Sequence, residues 1–114
     1  MNMNNGFTYL CAPYSHHNPQ IRELRYQMTN DFAARLMRLG FVVFSPISHS
    51  HEVAKYLDSD ENTHKLWMEQ DLPLLEKASR CIVLRLPGWE HSKGVTEEVS
   101  HAKKHNIPIE YMDY

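Results

Sequence analysis

Short apolar runs alternate with stretches of helical periodicity along the whole chain, and this alternation limits the possible folds more than any other feature. Phe7-Thr8-Tyr9-Leu10-Cys11, Phe41-Val42-Val43-Phe44, Cys81-Ile82-Val83-Leu84 with Leu86, and Ile107-Pro108-Ile109-Glu110-Tyr111 each have the length and composition of a strand. The second run is apolar on both faces, as expected of a covered parallel sheet. After the first run, Asn18-Pro19 reads as a helix N-cap followed by a proline in the first turn. Ile21, Leu24, Met28, Phe32 and Leu36 then recur at helical spacing, and Gly40 is placed to end the helix. Ser45-Pro46 stops the second strand, and a loop with a short helix follows to about Leu57. Asp58-Ser59-Asp60-Glu61 supplies an acidic start for a helix running toward Lys77, which Pro73 kinks or restarts near Asp71. Pro87-Gly88 is a turn signal, and a further helix carries Val95 to Ala102.

Strands alternating with helices predict a parallel sheet of four to five strands with right-handed crossovers and helices on both faces. That is a three-layer, Rossmann-like (flavodoxin-like) α/β fold. At 114 residues, 42% of them hydrophobic, the chain fits a single domain spanning 1–114. A net charge of −2 argues against a nucleic-acid polymer or an anionic membrane surface as the partner. No apolar run approaches the roughly 20 residues of a membrane span. Met1-Asn2-Met3-Asn4-Asn5 lacks a signal-peptide pattern, so a cytoplasmic location is expected. Cys11 and Cys81 fall within apolar runs without zinc spacing and read as buried, reduced thiols.

Within the last helix, at about 100° per residue, Val95, Val99 and Ala102 share one narrow stripe. Glu98 lies at its edge, roughly 60° from Val95, while Glu97 points almost the opposite way. A carboxylate turned inward is costly unless it is paired or used. If the preceding helix is continuous, Trp67, Asp71, Leu74 and Ala78 share a face, so Asp71 is inward as well. Ligands of such folds bind beyond the carboxyl ends of the strands. The loops there are Ala12 to His17, Ser45 to His51, and Pro87 to Gly94. They hold hydroxyls, histidines and Trp89, suited to a polar ligand with an aromatic part. Two of these loops lead into helix N-termini, which favour an anion such as phosphate. Ser15 and Ser92 are candidate donors to it, Gly94 permits close backbone approach, and Trp89 is the stacking candidate, whereas Trp67 reads as core. Tyr14 is either a catalytic hydroxyl aimed at the site, positioning the sugar or the nucleophile, or a loop anchor. His49 and His51 form only a fragment of a metal site, and His49 is assigned to substrate contact instead. Bland roles stay open for the others: Asp71 and Ser92 as helix caps, and Glu98 in a buried ion pair. Taken together, two inward carboxylates and an anion cradle suggest chemistry on a sugar phosphate.

Several stretches resemble the nucleoside 2-deoxyribosyltransferase-like superfamily. They are Tyr9-Leu10-Cys11-Ala12-Pro13-Tyr14-Ser15, Gly40 with Val43-Phe44-Ser45-Pro46-Ile47, Asp71-Leu72-Pro73-Leu74-Leu75-Glu76-Lys77-Ala78, and Ser92-Lys93-Gly94-Val95-Thr96-Glu97-Glu98-Val99-Ser100-His101-Ala102. The last is the most specific. It is similar to a branch of small bacterial and phage proteins with a Pro-Gly-Trp-Glu-x-Ser-x-Gly-Val loop. The resemblance implies a homo-oligomer and cleavage of the N-glycosidic bond of a nucleoside or its 5′-monophosphate, by hydrolysis or base exchange. Glu98 would attack the anomeric carbon, Asp71 would lie in the sugar or base site, and Ser92 would hold the 5′-phosphate. Neither a metal nor a redox cofactor is called for. The chain departs from the pattern at Ser79-Arg80, where many relatives carry an aspartate. It departs again at Pro13-Tyr14-Ser15, which replaces a serine-and-arginine phosphate loop. A nucleotide-binding module without turnover is the alternative, and a structural oligomer with all its carboxylates paired is a third reading.

Overall fold

A computed structural model describes residues 6–114, so the reading of Met1 to Asn5 lies outside the described residues. The elements are β1 (Thr8–Cys11), α1 (Pro19–Arg38), β2 (Val43–Phe44), α2 (Pro46–Val53), α3 (His64–Leu75), β3 (Arg80–Leu84), α4 (Lys93–Lys104) and β4 (Ile109–Met112). Single 3₁₀ turns lie at Ala54–Tyr56 and Trp89–His91. The strands form one four-stranded parallel sheet in the order β2-β1-β3-β4, flanked by helices in a three-layer Rossmann-like arrangement. The connection from β1 to β2 steps one way across the sheet, and those from β2 to β3 and β3 to β4 step the other way. Right-handed crossovers therefore send α1 to one face and α3 and α4 to the opposite one. The chain reverses direction across the sheet between β1 and β3, which makes their carboxyl ends the switch point of the fold.

Period-two alternation in the two central strands sorts the core into two clusters. Leu10, Ala12, Ile82 and Leu84 face Phe32, Ala33 and Leu36 of α1 and Ile47 of α2. Tyr9, Cys11, Cys81 and Val83 face Leu75 of α3 and Val95 and Ala102 of α4. The two cysteines are buried and form no disulfide; their thiols share a hydrogen bond at 3.2 Å.

The expected ends of α1 hold. Asn18 Oδ1 accepts from the Gln20 amide at 2.9 Å, Pro19 opens the helix, and Gly40 follows it with φ +98°. Its inward face differs from the expected one, because Thr29, Phe32, Ala33 and Leu36 are buried and Leu24 is exposed. Phe41 and Val42 precede β2, which has only two paired residues at the edge of the sheet; Val43 and Phe44 pack, partly buried, against the clusters on opposite faces, as the run predicts, while Val42 before the strand is exposed. Ser45 and Pro46 stop the strand by starting α2 directly, with Pro46 in its first turn.

The acidic stretch Asp58 to Glu61 does not open α3. It folds on itself as a turn, the Asp58 amide donating to Glu61 Oε1 at 2.8 Å. Thr63 caps the helix instead, its Oγ1 accepting from the Leu66 amide at 3.1 Å. Pro73 falls in the last turn, where its missing N–H removes one helical hydrogen bond, and α3 runs on to Leu75 without restarting at Asp71. Leu74, within α3, is exposed; Asp71 and Leu75 are the helix's buried pair, and Ala78, beyond its end, is buried in the core as expected. Among the described residues no helix is long and apolar enough to cross a membrane.

Candidate active site

Beyond the carboxyl ends of the strands, a cavity of about 350 Å³ opens between the loop after β1, helix α2, the first half of α3 and the start of α4. Glu98 lies against it from α4 and Asp71 from α3. Both carboxylates are buried, at 6% and 7% exposure, and among the described residues neither forms an ion pair with Lys, Arg or His. That removes the reading of Glu98 as half of a buried salt bridge.

Glu98 is held by a hydroxyl. Tyr9, fully buried in β1, donates from its phenol to Glu98 Oε2. The strand alternation turns Tyr9 and Cys11 toward α4, and a buried phenol must find a polar partner. Burial pushes the Glu98 carboxyl up to about 8; the Tyr9 hydrogen bond opposes the rise and the nearby Asp71 adds to it. Asp71 is raised to about 6 by burial. The Tyr9 phenol is itself raised well above its ordinary range, by burial first and by the Glu98 charge second.

Six of the eight residues singled out in the sequence line this cavity: Glu98, Asp71, Tyr14, Ser15, Ser92 and Gly94. Two do not. Trp89 packs against Tyr111 on the far side of the β3–α4 connection, with ring centroids 5.6 Å apart, so it does not stack over the cavity. His49 lies near Phe44, with ring centroids 6.4 Å apart, and is not part of the cavity wall. Nor does it converge with His51. That ring stacks on Tyr26 at 3.8 Å and meets the Tyr14 hydroxyl at 2.7 Å through Nδ1. Tyr14 is therefore a wall residue clamped by His51, and the hydroxyl on Glu98 is that of Tyr9.

Ser92 performs the bland role as well as lining the site: its Oγ accepts from the Val95 amide at 3.2 Å and caps α4. A methyl group built on Gly94 would meet nothing nearer than Ser92 Oγ at 4.0 Å. Packing does not demand glycine there, and its absent side chain leaves the first turn of α4 open to the cavity.

The loops that carry the site are fastened by arginines of α1. Arg25 donates to the carbonyl of Ser15 at 2.9 Å and to that of Pro87 at 3.0 Å, tying the loop after β1 to the loop after β3. Arg22 donates to the His16 carbonyl and lines the cavity. Gly88 is required beneath this clasp: its φ is +90°, and a Cβ would sit 2.8 Å from Arg25 Nη2. The residues of this cavity and clasp all fall within the stretch 6–114, which one family model matches from end to end.

The chain belongs to that family.

It is described as Domain of unknown function (DUF1937). No curated protein matches the chain. The match covers all four strands and helices, so every residue of the cavity lies within the DUF1937 domain.

Sequence reasoning missed Tyr9, Arg22, Arg25, Asn62 and Trp67 as site residues. Trp67, read as core, is only partly buried; it lines the cavity and its Nε1 donates to Asn62 Oδ1 at 2.7 Å. A signal for one of the arginines was present. Helix α1 has no acid in its first turn, and a cation there opposes the helix dipole, so Arg22, which closes that turn, needs another reason to stand there; Arg25, a turn further on, carries no such mark.

Proposed function

We propose that this DUF1937 protein is an N-glycosidase acting on a nucleoside, with a 5′-monophosphate as the favoured substrate form. One observation carries the reading: a buried glutamate without a cation partner, held by a phenol, faces a ligand-sized cavity beside a second buried carboxylate. The likeness of its motifs to nucleoside 2-deoxyribosyltransferase-like enzymes supports the same assignment. In the first step a Glu98 oxygen bonds to the anomeric carbon while the bond from that carbon to the base nitrogen breaks. The base leaves with that electron pair and takes up a proton. In the second step water, or an incoming base, attacks the same carbon; the bond from that carbon to the Glu98 oxygen breaks, Glu98 returns as carboxylate, and the proton of the attacking group passes to Asp71 or solvent. Tyr9 positions the attacking carboxylate and favours its ionised form. Asp71 orients the sugar or supplies the proton. Ser15, Ser92, Arg22 and the open start of α4 are suited to an anionic group, and Trp67 to the face of a base. No resident metal or redox group takes part, the site lies in the cytoplasm, and the working form is a homo-oligomer.

A binding module is the second reading, favoured by the elevation of Glu98 to about 8. A carboxyl that is protonated at neutral pH donates a hydrogen bond and does not attack.

Chromatography separates the two. Ribo- and deoxyribonucleosides and their 5′-monophosphates are incubated with the protein, with and without an acceptor base. The enzyme reading expects free or exchanged base from one class, abolished in folded Glu98→Ala protein. Thermal stabilisation by a nucleotide that is recovered intact would instead establish the binding module.

A further inference from the structure

Away from the cavity, the end of α3 meets the last turns of α4 on the outer surface, and three side chains converge there. Glu76 follows the final residue of α3, His101 stands in the last turn of α4, and His105 is the capping residue just after it. Each offers one ligand atom, and these atoms all lie within 4.8 Å of one another. His101 Nε2 is 2.7 Å from Glu76 Oε2, and His105 Nε2 is 3.8 Å from the same oxygen. None of the three lines the Glu98 cavity.

We propose that Glu76, His101 and His105 form a binding site for one late first-row divalent cation, with zinc the best match. The His-x-x-x-His spacing puts both imidazoles on one helical face, the arrangement by which a helix presents two nitrogens to a metal. Two imidazoles, one carboxylate and an open fourth position suit zinc. Nitrogen-rich donors favour nickel, copper and zinc over magnesium and calcium. A tetrahedral ion with bonds of about 2.0–2.1 Å sets its ligand atoms about 3.3 Å apart. The separations of 2.7 and 3.8 Å from the Glu76 oxygen bracket that value, and the two imidazole nitrogens, within 4.8 Å of each other, are brought to it by side-chain rotation.

An ordinary surface pair explains only part of this arrangement. His101 and Glu76 form a hydrogen bond, but at 3.8 Å His105 is too far from Glu76 to make one, and its ring nevertheless lies 4.4 Å from that of His101. Two imidazoles crowded onto one carboxylate are better matched by a shared cation. The carbonyl end of α4 favours positive charge at the same place. A bound ion would fasten the helix of Asp71 to the helix of Glu98 from outside. The proposal is independent of the reaction assigned to the cavity.

The test is calorimetric titration of chelator-treated, full-length protein with zinc at neutral pH, with magnesium as the comparison ion. Expected are one zinc per chain at micromolar affinity and no binding of magnesium. Affinity should fall at least about tenfold in His101→Ala and in His105→Ala. It should be unchanged in His64→Ala, which removes another histidine from the same pair of helices. Glu76→Gln, which keeps the shape of the side chain, should weaken binding and guards against loss through misfolding. Absence of zinc binding at submillimolar concentration, or unaltered affinity in a His101→Ala/His105→Ala double variant, overturns the site.

Discussion

Glu97 and Glu98 are adjacent in α4 and face different surroundings. Glu97 lies on the surface and meets His64 Nε2 at 2.8 Å, across the groove between α3 and α4. Glu98 is turned through the sheet-facing side of the helix, where its partner is the uncharged phenol of Tyr9. The same division holds in α3, where Glu69 pairs with Lys65 at 2.8 Å and Asp71, two residues on, has no cation partner among the described residues. In each helix the surface carboxylate has a base beside it, while the buried one has none. Cations were available to the fold, since Arg22 and Arg25 lie near the cavity, where they donate to loop carbonyls and pair with neither buried carboxylate. The interior thus holds two carboxyl groups in raised, readily altered protonation states, as a reacting site requires and a structural core avoids.

Pairs of substitutions across this divide should give unequal results. The largest difference is in turnover. Glu98→Gln should lower base release by about 10³-fold or more, whereas Glu97→Gln should leave it within about twofold, read by chromatography under identical conditions.

Stability should separate the same pair by pH. The folded-state value of Glu98, about 8, lies above its unfolded value, so its contribution is fully present below about pH 4 and is lost as pH rises toward 8. Glu98→Gln should therefore gain on the parent by about 3 kcal/mol between pH 4 and 7 in urea unfolding. Glu97→Gln should show less than about 1 kcal/mol of change over that range.

The pH profile of the reaction is the next test. If Glu98 attacks as carboxylate, kcat/KM should rise about tenfold per unit until roughly pH 8 instead of levelling near 5. Tyr9→Phe keeps the ring in the core and removes a hydrogen bond that lowers the Glu98 value. It should slow turnover about ten- to hundredfold and move the rising limb to higher pH. The smallest expected effect is on the outside: His64→Ala should shift stability by less than about 1 kcal/mol and leave the profile in place.

Much of this was legible in the sequence. Alternation of apolar runs with helical periodicity gave the layers and the parallel sheet, because burial on both faces of a central strand leaves an unmistakable composition. The 3.6-residue period separated Glu98 from Glu97, since a single residue step turns a side chain by about 100°. What failed were features set by tertiary contacts. Asp58 to Glu61 had the charge of a helix start, but its side chain closed a turn and Thr63 took the cap. Trp89 sat in a promising loop, yet the 3₁₀ turn after Gly88 directed its ring toward Tyr111. Trp67 looked like core because helical phase alone does not distinguish a packed face from a cavity wall. Tyr9 was hidden by its strand, where an aromatic residue is ordinary; only its hydroxyl, needing a partner inside the sheet, marked it out.

The most direct test is to trap the intermediate. The protein is incubated with 2-deoxy-2-fluoro analogues of the nucleosides and monophosphates, digested and mapped by mass spectrometry. The account predicts release of one equivalent of base and a fluoroglycosyl adduct on Glu98, absent from Glu98→Gln. Base release with the sugar bonded to another residue, or no release from any member of the panel, would contradict it.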